Sequence, residues 1–141
     1  MTNEELSHYR ATLTDLTGAV SRLCDVEEAL AKAASEDDTA QLDHLVRSSE
    51  ADVLTFRGLD RKRFAEEKAM GLAGVPFGEI LNHLTGDERA FLEPSASALQ
   101  SQLQRFREAQ ETADRIMRVR LFDINLKISD APLESTHETR A

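Results

Sequence analysis

The chain has 141 residues, 40% hydrophobic but only 5% aromatic, with no Trp, 6 Gly and 3 Pro, and a formal charge of -9. That length suits one domain able to bury a core unaided, and the composition favours long helices over strands. The negative field opposes a polyanion such as DNA, and the lone cysteine, Cys24, allows neither an intrachain disulfide nor a thiolate metal cage.

The opening Met1-Thr2-Asn3-Glu4-Glu5 lacks the basic-then-apolar pattern of a secretory signal, and no apolar run approaches the roughly 20 residues of a membrane span. A cytoplasmic protein is expected. Leu6, Tyr9, Leu13, Leu16, Val20, Leu23 and Leu30 then follow steps of three and four, with Glu27 in the one polar slot. This heptad seam predicts a helix over about 4–34, with Asn3 as N-cap and Glu4 and Glu5 complementing the positive end of its dipole.

Ser35-Glu36-Asp37-Asp38-Thr39 has no apolar residue and supplies capping side chains, so a break or sharp kink is expected there. A second helical stripe runs through Leu42, Leu45, Val46, Val53, Phe56, Leu59 and Phe64, weakened by Gly58. Gly71, Gly74, Pro76 and Gly78 cluster into the principal loop, a hinge whose Val75 and Phe77 should pack inward. Phe77, Ile80, Leu81 and Leu84 suggest one short helix before Thr85-Gly86-Asp87 begins another element. Pro94 allows a helix start near Glu93 or a kink there. Leu92, Leu99, Leu103, Phe106, Ala113, Met117, Leu121, Ile124 and Ile128 mark a long last helix, with Gln110 the polar exception. The expected fold is all-α: an elongated antiparallel bundle of about three long helices and one short one, with coiled-coil-like packing over residues 1–130 and a disordered tail at 131–141.

The closing stretch is unusual. Ile116, Met117, Val119, Leu121, Phe122, Ile124, Leu126 and Ile128 exceed what one helical stripe can hide, and they are interleaved with Arg115, Arg118, Arg120 and Lys127. Charge is segregated with them: residues 1–50 carry net -7, whereas 115–128 carry net +3. From Phe122 onward apolar and polar residues alternate strictly, so these letters also fit a strand, although continuity with the long seam favours helix. A second apolar face calls for a second partner, and a partner-binding surface at Ile116, Met117, Val119, Arg120, Leu121, Phe122, Ile124, Leu126 and Ile128 follows. A bland alternative is that the other helices, or a second copy, cover it.

Chemistry elsewhere is sparse. His8, His44, His83 and His137 lack the spacing that gathers imidazoles on one face, and adjacent pairs such as Glu27 with Glu28 or Glu66 with Glu67 diverge by about 100° on a helix. Neither a catalytic site nor a cofactor or metal is expected. The run Arg57, Arg61, Lys62, Arg63 and Lys68 reads as a solvated face, with Asp60, Glu66 and Glu67 close enough for exposed pairs of little worth. Gly71-x-x-Gly74-x-x-x-Gly78 lacks the Lys-Ser/Thr ending of a phosphate loop and follows a helix.

A long leucine-seamed first helix, a second helix ending in Val53, Phe56, Leu59, Asp60 and Arg63, a glycine-containing loop, a short helix and a long last helix from Leu99 to Ile128 together resemble the FlgN-type flagellar export chaperones. The likeness spans about residues 6–130 and consists mostly of spacing. It implies a cytoplasmic chaperone that binds hook-filament junction proteins, masks them before type III secretion and presents them to the export machinery. It also implies that the client-binding region is the C-terminal amphipathic segment, here Ile116 through Ile128. The competing reading is a coiled-coil adaptor, or a dimeric structural or regulatory protein without a secretion client.

Overall fold

The computed structural model describes residues 1–128, with side chains as far as Ile116. Five helical elements follow one another and no strand occurs among the described residues: α1 at Asn3–Ser35, α2 at Thr39–Ser48, α3 at Glu50–Ala69, a 3-10 helix at Phe77–His83 and α4 at Gly86–Ile128. The all-α bundle expected from the periodicity is therefore what forms.

Capping fixes the ends. Thr2, one residue before the expected Asn3, is the N-cap of α1: its hydroxyl accepts from the Glu5 amide at 3.1 Å while the Glu5 carboxylate accepts from the Thr2 amide at 2.8 Å. Asparagine loses because Glu5, three residues after Thr2, closes this reciprocal box, and its pKa falls below the usual carboxylate value through those two bonds. Thr85 and Glu88 repeat the device ahead of α4. That start leaves Pro94 inside α4, where the missing N–H removes one rung of the helical ladder. The expected break after α1 lies at Glu36–Asp38, where Asp37 turns to φ 56 and Asp38 caps α2 through the Gln41 amide.

The second stripe differs from expectation in two respects. It is interrupted at Ser49, because the hydroxyls of Ser48 and Ser49 donate to the Leu45 and Val46 carbonyls at 3.2 and 2.8 Å and compete with the backbone ladder. Val46 and Phe64 also leave the inward face and lie 52% and 57% exposed. Phe56 and Leu59 of the expected stripe do pack against the core, and Asp60, Arg63 and Glu67 continue that inward face, while the Phe64 ring stacks against Arg63, 4.3 Å from its guanidinium carbon.

Helix α1 is the axis of the molecule. Its seam buries Leu6, Tyr9, Leu13, Leu16, Val20 and Cys24 against Leu92, Ala96 and Leu99 of α4, with Ile80 of the 3-10 helix and Leu72 of the loop closing one end. Val75 and Phe77 pack against this core, as the hinge reading anticipated. Gly71 and Gly74 take φ 77 and 81, a left-handed backbone that costs glycine little and explains their place in the reversal. Helices α2 and α3 return antiparallel to α1 and pack on it, with Arg63 of α3 also 5.5 Å from the centre of the Phe77 ring of the 3-10 helix; among the described residues neither comes near the α4 backbone.

Candidate functional site

The placement of α4 against α1 sets the geometry of the closing segment. Arg105 on α4 reaches back to Asp25 and Glu28 of α1 at 3.0 and 2.8 Å, and the Cys24 thiol donates to the Gln102 carbonyl at 3.7 Å. Near the other end, the Arg10 guanidinium sits 4.4 Å from the centre of the Phe91 ring. Low-numbered residues thus meet low-numbered residues along the whole contact, so the two helices run parallel. Their hydrogen-bonded partners differ by 77 to 80 positions.

That register has a consequence for length. Ser35, the last residue of α1, stands level with about residue 112–115 of α4, since both helices rise ~1.5 Å per residue. Near this level small residues are almost fully enclosed, Ala33 and Ala34 on α1 and Ala113 on α4. Helix α4 then continues to Ile128, so its last part runs on beyond the level at which α1 turns away. Ile116 is half-buried at the start of this extension. Met117, Val119, Arg120, Leu121, Phe122, Ile124, Leu126 and Ile128 have helical backbone, and their side chains lie outside the described residues. The alternating letters after Phe122 therefore resolve as helix; the tail expected at 131–141 also lies outside the described residues.

Glu27, the polar member of the first seam, is half-buried and feels the charge of Asp114 on α4. Burial first, and then the Asp114 charge, raises the pKa of Glu27 above the ordinary carboxylate value.

A second polar cluster is more buried than the sequence suggests. Glu67 is buried, and its Oε2 accepts from the Tyr9 hydroxyl at 2.7 Å and from Arg63 at 2.7 Å, while Arg63 also pairs with Asp60 at 3.0 Å. These are not the exposed pairs the local spacing suggests. Burial and the neighbouring carboxylate push the Tyr9 pKa far up, so the phenol stays a donor. The available signal is Tyr9, an aromatic with a hydroxyl tip on a leucine seam, which needs a buried acceptor. One oxygen of Glu66 is also enclosed and has no hydrogen-bond partner.

Among the described residues no three His, Cys, Asp or Glu side chains are grouped to hold a metal ion, and no helix is long and apolar enough to cross a membrane. No family model, no curated protein and no solved structure matches this chain.

Proposed function

We propose that the chain is an export chaperone, whose client is an amphipathic helix of a flagellar hook-filament junction protein, held in the cytoplasm before type III secretion. The observation that supports this reading is the length mismatch of the two parallel helices. Helix α1 ends level with about residue 115, and the part of α4 that continues past it carries the chain's most apolar and most basic sequence. A helix that outruns its partner keeps a face for another chain. Apolar contact with Met117, Leu121, Ile124 and Ile128 supplies the affinity, and Arg118 and Arg120 bias the orientation.

The test compares the full chain, a chain ending at Arg115 and the double substitution Leu121→Glu, Ile124→Glu for capture of purified hook-filament junction proteins. The described core ends at Ala113, so both altered forms should keep the helical content of residues 3–113. Capture by the full chain alone supports the proposal, whereas equal capture by all three, or by none, removes it.

A further inference from the structure

Counted along the sequence, α3 is nearly neutral, but folding separates its charges by face. Between residues 51 and 69 all four acids turn inward: Asp52 pairs with Arg22 at 3.7 Å, Asp60 and Glu67 hold Arg63, and Glu66 is half-buried. Arg57, Arg61, Lys62 and Lys68 are exposed, and none has an ion-pair partner among the described residues. From residue 51 to 69 the outward charge is therefore wholly positive on a chain of net -9, and Glu50, the first residue of α3, is the one exposed acid of the helix.

Between those bases runs a second seam, with Ala51, Leu54, Gly58, Arg61 and Ala65 at alternating steps of three and four, all exposed. Leu54 is the most exposed of the large apolar side chains among the described residues, at 66%. A side chain at Gly58 would meet nothing within 4 Å, so no packing inside the chain asks for glycine there. The 3-10 helix meets α3 on its inward side, where Arg63 lies 5.5 Å from the centre of the Phe77 ring, and among the described residues the α4 backbone does not come near α3.

We propose that the outward face of α3 docks an acidic amphipathic helix of a partner protein, apart from the surface at the end of α4. Charge complementarity selects the occupant. A short helix with apolar residues over Leu54 and small contacts over Gly58 and Ala65 places its flanking carboxylates against Arg57 and Lys68 on one side and Lys62 on the other. Duplex DNA or an anionic membrane carries charge far beyond this stripe, about 27 Å long, and meets the acidic remainder of the molecule, which repels it.

The experiment uses the full-length isotope-labelled protein and a synthetic amphipathic helix with a leucine seam and glutamate flanks, alongside a lysine-flanked control, duplex DNA and phosphatidylserine vesicles. Amide shifts at residues 51–69 with the glutamate peptide alone, and affinity weakened roughly tenfold or more in Arg61→Glu, Lys62→Glu, are expected. Both side chains are exposed, so unchanged circular dichroism verifies that the variant folds. The proposal is overturned by equal binding of the control peptide, by unchanged affinity in the variant, or by binding of DNA or vesicles at α3 in place of the peptide. It is equally overturned by self-association through this face without peptide binding. Shifts confined to residues 115–128 would overturn it while leaving the chaperone reading intact.

Discussion

The Tyr9 hydroxyl of α1 donates to Oε2 of Glu67 on α3 at 2.7 Å, joining residues 58 positions apart. Glu67 is the only fully buried residue that α3 contributes, so a carboxylate fastens this helix to the axis beside the partly buried Phe56 and Leu59. Tyr9→Phe leaves Glu67 with Arg63 and should cost about 1–2 kcal/mol. Glu67→Ala strands both the phenol and a guanidinium whose side chain is 12% exposed, and should cost about 3–5 kcal/mol. Urea denaturation of the three proteins checks the order; an equal or smaller loss for Glu67→Ala would show that the carboxylate does not fasten α3.

Glu27 on α1 is half-buried, and its pKa is raised by burial and then by the charge of Asp114 on α4. In the range between its ordinary and its raised pKa, the folded state binds more protons than the unfolded one, so stability declines as pH rises through that window. Glu27→Gln abolishes this decline and should stabilise the protein at pH 7 by a few tenths of a kcal/mol, with no gain below the carboxylate range. Thermal melts at the two pH values decide it, and the idea fails if the gain is the same at both.

Gly58 sits inside α3 with open space where a side chain would be. Gly58→Ala should therefore stabilise the isolated protein by about 0.5–1 kcal/mol, through helix propensity and a less free unfolded chain. A destabilised variant would mean that the outward face is not open.

Leu13 and Leu54 separate the two seams in energy. Leu13 is fully buried at the centre of the core, and Leu13→Ala should cost about 2–5 kcal/mol. Leu54→Ala, on the outward face, should stay within about 0.5 kcal/mol. Similar losses for the two in chemical denaturation would contradict the assignment of faces.

Local signals placed the helices because they act within a few residues. The Thr85–Glu88 box, the acidic turn at Glu36–Asp38 and the glycines at 71 and 74 are short-range chemistry, visible in the letters; even the error at Asn3 was one of a single residue. Heptad spacing likewise predicted the core of α1 and α4, since regular burial leaves a regular pattern. The break at Ser49 was harder to read, because two serines competing for carbonyls look like ordinary helix surface.

The apolar excess at the closing segment was legible from composition alone, but its relation to α1 was not. Periodicity tells which residues share a face and says nothing about how far one helix slides along another. Arg105, Asp25 and Glu28 fix that slide only once the chain has folded, and with it the level at which α1 ends beside α4. The facing of α3 was likewise decided in three dimensions. Its near-neutral sequence permits either charge to face outward, and the need of Tyr9 for a buried acceptor draws Glu67 inward, which leaves the bases to solvent.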